Sequence, residues 1–276
     1  MGSEMCIRDR PKQHAVMDED WSFTPLLKSL KDTAWSQLGT SGSGNHFVEF
    51  GTFELFAQRF GLSPGAYLAL VSHSGSRGTG GRIADHYSRV ARALRKHLPA
   101  HLKHLAWLDL DTAEGEEYWR SMELMGRYAS ANHHLIHEGI LRYLGCRPLF
   151  QVENHHNFAW KEVHEGREVV VHRKGATPAG KGMLGYIPGS MVAPGFLVEG
   201  LGNPASLNSC SHGAGRRMSR RQAKSTTTWQ ALKKILAEHD VALISAGLDE
   251  TPAAYKDIET VMQAQSALVK KLGKFT

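Results

Sequence analysis

Hydrophobic positions recur along this chain with two different periods. Tyr67 to Val71 is a continuous apolar run next to glycine and is expected to form a buried strand. From Arg82 to Leu98 the spacing of Ile83, Tyr87, Val90, Ala91 and Leu94 predicts a helix. Glu116 to Leu144 predicts one long helix or two, through Tyr118, Met122, Met125, Tyr128 and Leu135. Pro148 to Glu153 and Glu168 to His172 read as strands. Trp229 to His239 and Tyr255 to Leu272 read as amphipathic helices. Strands and helices mix without a regular βαβ alternation, so the expected class is α+β, with chemistry on the loops.

The 276 residues suffice for one large domain or two small ones, and 41% hydrophobic content allows a sizeable core. No apolar run approaches the roughly 20 residues a membrane span needs, and Met1 to Arg10 carry no apolar signal-peptide core. A cytoplasmic protein without membrane contact is expected. Net charge is +6 and the pI about 9.2, which favours anionic partners such as RNA or nucleotides. Three cysteines, Cys6, Cys146 and Cys210, cannot make a disulfide framework and suit a reducing compartment. Residues 1–32 lack the patterning of the rest and read as a non-matching leader ahead of a domain spanning 33–276. Both ends are expected to be cut.

Sixteen histidines stand out. Imidazole is a frequent metal ligand, nucleophile and base. His97, His101 and His104 fall in a basic stretch and are expected to be solvated. Four clusters carry more. Leu38 to Glu49 is rich in Gly and Ser, which turn backbone N–H groups inward as an anion nest, and it places Asn45, His46 and Glu49 together. Ser72 to Gly80 holds His73 at a strand end beside Arg77 and small residues suited to an anion. In Glu153-Asn-His-His-Asn157, adjacent histidines after a strand point to opposite sides. In Ser209 to Arg220, His212 precedes Gly-Ala-Gly and a basic segment, a setting for attack on phosphorus with cationic donors nearby. Each, alone, is also compatible with a plain turn. Val171–Thr177 and Ile187–Met191 are supporting polar turns. Together, His46, His73 and His156 suit a divalent ion such as Mn²⁺ or Zn²⁺, whereas His212 has a phosphate-like setting.

In this order the motifs resemble the RtcB family of RNA-splicing ligases, from about Asp32 to the C-terminus. The resemblance rests on Gly39–Glu49, His73-Ser-Gly-Ser-Arg-Gly78, His155-His-Asn157, His172–Thr177, Pro188-Gly-Ser-Met191, His212-Gly-Ala-Gly-Arg216 and Asp249–Lys256. It implies mixed β-sheets with flanking helices around a central metal and nucleotide cleft. It also implies a GTP- and Mn²⁺-dependent ligase for tRNA splicing or RNA repair. Such an enzyme joins RNA ends bearing a 2′,3′-cyclic phosphate or 3′-phosphate to 5′-hydroxyl ends through a histidine–GMP intermediate. By the resemblance, His212 is the catalytic nucleophile. His46 binds one metal ion, and His73 and His156 the other. Asn45, His46, Phe47, Val48, Glu49, His156, Asn157, Pro188, Gly189, Ser190, Met191, His212, Gly213, Ala214 and Gly215 hold the guanylate. Arg216 and Arg220 are expected to add phosphate clamps. A monomer or weak oligomer is expected.

The chain departs from the family pattern in three places. An upstream Asp…Cys motif, whose thiolate bridges both ions, has no counterpart in residues 1–32. A terminal guanylate-contacting lysine would lie beyond the chain's end. Val192-Ala-Pro-Gly195 replaces Gly-Thr-Ala-Ser, so Gly195 stands where the family has a serine for the guanylate. Weak metal binding and poor ligation are therefore expected of the chain. The alternatives are a metal-dependent RNA phosphoesterase and an inactive RNA-binding fragment.

Overall fold

A computed structural model describes residues 13–42 and 44–276. The chain divides into two compact units. The first comprises residues 1–42 and 72–147, and the second residues 43–71 and 148–276. Among the described residues, helices dominate the first unit and strands the second, so the class is α+β as expected.

Three helices build the first unit: α1 (Pro25–Gln37), α2 (Arg77–Leu94) and α3 (Ala113–Leu144). α1 starts where Thr24 Oγ1 accepts the Leu27 N–H at 3.1 Å and proline occupies the first turn. It buries Leu27, Leu30 and Ala34 against Trp21, Leu124, Met125 and Tyr128. Trp21 stands edge-on to Tyr128, with ring centroids 6.0 Å apart, and the Tyr128 hydroxyl donates to Ala34 O at 2.7 Å. α3 is one helix, not two; it carries Glu114 and Glu116 in its first turn and ends at Gly145 with φ 65°.

Several expected boundaries shift. The helix expected over Arg82–Leu98 begins at Arg77 and ends at Leu94. Gly80 suggests a turn, but here it admits the Ser76 side chain, whose Oγ would lie 1.8 Å from a Cβ at that position. The expected boundary at 32/33 falls inside α1, and Val16, Met17 and Trp21 are core residues. Met1–Arg10 and Cys6 lie outside the described residues. Cys146 is exposed and Cys210 buried, both as free thiols.

The second unit holds a five-stranded sheet, ordered β2-β1-β9-β7-β6, and two two-stranded ribbons, β3-β4 and β5-β8. The strands are β1 (Phe47–Leu55), β2 (Gly65–His73), β3 (Phe158–His164), β4 (Arg167–Arg173) and β5 (Ala176–Pro178). They continue with β6 (Leu184–Ile187), β7 (Gly195–Gly200), β8 (Ser209–Ser211) and β9 (Val269–Phe275). The registered ladders β1–β9, β6–β7 and β7–β9 are antiparallel. One face packs Ile187, Phe196 and Val198 against Ile258, Met262 and Cys210. On the other face, aromatic rings cover glycines of neighbouring strands: Phe275 over Gly51, Phe53 over Gly273 and Tyr186 over Gly195. The remaining helices are α4 (Arg220–Thr226), α5 (Trp229–Glu238) and α6 (Ile258–Ala264). Among the described residues, no helix is long and apolar enough to cross a membrane.

Two expectations fail here. Tyr255–Leu272 is not one helix: only Ile258–Ala264 is, and Val269–Phe275 is a strand between β1 and β7. The β7–β9 register skips Leu272 in a β-bulge, so Val269 and Leu272 fall three apart and imitate a helical repeat. Pro148–Glu153 forms no strand. Pro148 lacks a ladder donor, and Phe150 stacks instead on Phe60, with centroids 3.9 Å apart.

Candidate active site

His212 follows β8 directly, and the Gly-Ala-Gly turn after it packs on the Pro188–Met191 turn. The Ala214 N–H donates to Pro188 O at 3.0 Å, and a Cβ on Gly213 would come within 3.3 Å of that same oxygen. The Pro188–Met191 turn closes on itself through mutual bonds between Ser190 and Ala193, 3.1 and 3.4 Å long. Two segments expected to share a guanylate are thus in direct contact.

The His212 ring lies beside that of His156, with centroids 4.7 Å apart and planes tilted by 48°. Its Nδ1 is buried without a hydrogen-bond partner. Burial, with the nearby Lys174 charge adding to it, holds the His212 pKa below the usual imidazole range. That favours the neutral ring, which keeps a lone pair for nucleophilic use.

Backbone and amide groups fix this pair. The His212 N–H donates to Gly175 O at 3.4 Å, and the Gly175 N–H donates to Asn157 Oδ1 at 3.4 Å. Asn157 adopts φ 56°, a left-handed conformation asparagine tolerates. Thr177 Oγ1 donates to His155 O at 2.8 Å. Asn154 Oδ1 accepts the Tyr186 N–H at 3.0 Å, and its Nδ2 donates to Thr177 Oγ1 at 3.3 Å. The Ser211 N–H donates to Gln265 Oε1 at 2.9 Å. Asn154 lies inside one of the histidine-bearing clusters, yet nothing in the sequence marks it as the brace of the His155–His156 segment.

Asn45 and His46 lead into β1, whose first residues are Phe47, Val48 and Glu49. Asn45 Oδ1 accepts from Arg220 Nη2 at 3.0 Å. Burial raises the Glu49 carboxyl to about 7; burial, with the Glu49 charge adding to it, also pushes the Tyr186 phenol up. A side chain at Gly195 would meet the Tyr186 hydroxyl at 2.0 Å. Tyr186 already fills the space a side chain at Gly195 would need.

The two arginines expected as phosphate clamps have protein partners. Arg216 donates to Asp249 O, to Met218 O at 3.1 Å, and to Glu250 at 3.4 Å. Arg220 pairs with Asp249 at 3.2 Å while also holding Asn45. Asp249 and Glu250 are buried; against that burial, a backbone hydrogen bond, then the Lys224 ammonium and Arg220, hold Asp249 below the usual carboxylate range. Arg173 is also buried, bonded to Glu162 at 2.6 and 3.0 Å and to Ser209 Oγ at 2.8 Å.

The last two residues of β2, Ser72 and His73, already belong to the first unit, and His73 is half-buried. The Ser74 N–H beside it donates to His133 Nε2 at 3.2 Å. The Gly39–Gly42 part of the glycine-rich loop is latched by Asn132, which is fully buried in α3. Asn132 Oδ1 accepts from the Gly39 and Thr40 N–H groups at 2.7 and 3.2 Å. Its Nδ2 donates to Thr40 O at 3.1 Å and to Ser74 Oγ at 2.9 Å. Arg77 adds bonds to Thr40 Oγ1 at 3.1 Å and Ser41 O at 3.0 Å. Asn132 is not evident from the sequence; a lone amide inside an apolar helical repeat is its only signal.

His46, His156 and His212 belong to the second unit and His73 to the first. Among the described residues, no group of three or more His, Cys, Asp or Glu is placed to hold a metal ion.

A half-buried imidazole with its Nδ1 enclosed, beside a second one and held by glycine turns on an α+β scaffold, defines a site suited to phosphorus chemistry. The family model for tRNA-splicing ligase RtcB matches residues 11–276, starting well ahead of Asp32, and the chain belongs to that family. It is 34% identical over 265 residues to the RNA-splicing ligase RtcB of Escherichia coli strain K12, covering 91% of this chain and 62% of the relative. The RNA-splicing ligase RtcB of Mycobacterium tuberculosis is 32% identical over 275 residues, covering 86% and 63%. The tRNA-splicing ligase RtcB of Aeropyrum pernix is 31% identical over 303 residues, covering 93% and 62%. The chain thus spans less than two-thirds of the length of these relatives.

Proposed function

We propose that this chain carries the guanylyl-transfer site of a GTP-dependent RNA ligase, which joins cyclic-phosphate or 3′-phosphate RNA ends to 5′-hydroxyl ends. The observation that carries this reading is His212, its Nδ1 buried and unpartnered, seated between the Pro188 turn and His156. Family membership supplies the RNA context.

In this reading His212 attacks the α-phosphorus of GTP, a nitrogen–phosphorus bond forms and pyrophosphate leaves. Water first opens a cyclic end, breaking its 2′ O–P bond to leave the 3′-phosphate, and His212 then hands the guanylyl group to that 3′-phosphate. The 5′-hydroxyl attacks that activated phosphorus and displaces GMP. Gly213 to Gly215 and Pro188 to Met191 hold the nucleotide through backbone groups, and Asn45, Phe47 and Glu49 contribute from the start of β1. Asn157 and Gly175 orient His212 through the Asn157–Gly175–His212 chain of hydrogen bonds. Mn²⁺ is the ion the family likeness implies, with His46, His73 and His156 as its candidate ligands. The described donors do not gather into a three-ligand group, so the proposed chemistry rests on His212 and its positioning groups.

The test uses paired RNA strands, one ending in a 2′,3′-cyclic phosphate and one beginning with a 5′-hydroxyl. Joining, or guanylylation of the 3′ end, that needs GTP and Mn²⁺ is expected. Phosphate release that ignores GTP and survives His212→Ala would replace this reading with a phosphoesterase.

A further inference from the structure

The helix α2 carries two opposed stripes. Ile83, Tyr87 and Ala91 face the core. Arg82, Arg89 and Arg92 lie on the opposite side and are exposed, and Lys96 follows just past the helix end. From 82 to 104 the chain has six Lys and Arg against one acidic residue, Asp85. A solvated helix face accounts for charge of this kind, but it does not account for what stands beside it.

Trp107 is held in place and still 48% exposed. The Arg95 guanidinium covers one face of its indole, 4.6 Å from the ring centroid. The indole N–H donates to Asp109 Oδ1 at 3.1 Å. His97 stands edge-on with its centroid 6.5 Å away. Arg95 also pairs with Asp109, closing the bracket around the ring. An aromatic ring braced on one face and open on the other loses little freedom when a flat partner stacks on it. Guanidinium and ammonium groups nearby supply counter-charge for a phosphate backbone, the combination used for single-stranded nucleic acid.

We propose that Trp107 and the basic stripe of α2 form a docking surface for single-stranded RNA, with one base stacked on the open face of Trp107 and phosphates along Arg89, Arg92 and Lys96. This deepens the RNA-ligase reading by giving the strand a hold on the first unit, and it does not depend on His212.

The probe is a fluorescein-labelled oligouridylate 12-mer, with binding to the whole chain followed by anisotropy at several salt concentrations. Trp107→Ala is expected to weaken binding about tenfold, the size of one lost base–aromatic stack. Trp107→Phe keeps a stacking ring and is expected to stay within about threefold of the parent. Arg92→Ala with Lys96→Ala is expected to flatten the slope of log affinity against log salt by about 1.4, two phosphates at about 0.7 each. Labelling of His212 by GTP is read in parallel. If labelling fails while these binding effects stand, the ligase reading falls and the docking surface remains. Unchanged affinity and slope in all variants would overturn the proposal. So would equal losses in Trp107→Ala and Trp107→Phe, or binding to phosphatidylserine vesicles without binding to the oligonucleotide.

Discussion

Replacing Asn132 with alanine removes four hydrogen bonds at once from the interior of the first unit. The Gly39 N–H, buried at 2.7 Å from Asn132 Oδ1, is left with no partner. A buried donor stranded in this way costs about 1–3 kcal/mol. The Thr40 N–H and C=O are half-buried and can recover part of their bonding from water. Ser74 Oγ keeps its bond to Ser41 O at 2.7 Å. Adding the small void left by the amide, the expected loss is about 2–4 kcal/mol, a large share of a typical stability of about 5–15 kcal/mol. Urea unfolding followed by circular dichroism measures it directly, with the midpoint falling and the slope unchanged. Gln37→Ala is the control: it strands only the exposed Gly78 N–H, bonded to Gln37 Oε1 at 3.1 Å, and should cost less than about 1 kcal/mol. Faster proteolysis within Gly39–Gly42 should accompany the Asn132 change alone. An Asn132→Ala protein within about 0.5 kcal/mol of its parent would refute the latch.

Two further outcomes follow from the second unit. Burial lifts the Glu49 carboxyl from 4.5 to about 7, so the fold prefers its protonated form. That contribution is complete below about pH 4.5 and is lost as pH rises through about 7; Glu49→Gln should match the parent near pH 4.5 and exceed it by about 1–3 kcal/mol at pH 8. A stability difference that does not vary with pH would count against this. Gly195→Ala should cost about 1–3 kcal/mol, because its Cβ would fall 2.0 Å from the Tyr186 hydroxyl. Tyr186→Leu in the same protein should recover most of the loss, and a neutral Gly195→Ala would argue against the wedge.

The long-period helices were legible because their apolar stripes are regular: α3 matches the Glu116–Leu144 pattern to within three residues at its start and ends at the expected Leu144. β9 was hidden because a bulge at Leu272 broke its two-residue alternation. The start of α2 was hidden because Gly80 there serves close packing on Ser76 rather than a turn. At the candidate site, the His212 and Pro188 turns are in contact and the His156 ring lies beside that of His212. The braces were not legible. Asn154, Thr177 and Gln265 act through bonds to residues more than 20 positions away, and such partners leave no local pattern. Arg216 looked like a free phosphate clamp because its partners, the Asp249 carbonyl and the Glu250 carboxylate, lie more than 30 residues downstream.

The central claim is that His212 carries the nucleotide, and labelling with GTP radioactive at the α-phosphate in the presence of Mn²⁺ addresses it most directly. The account predicts an alkali-stable, acid-labile adduct on the chain that disappears in His212→Ala and maps by mass spectrometry to the peptide containing Ser209–Arg216. No adduct at saturating GTP, or an adduct that persists without the His212 imidazole, would contradict it.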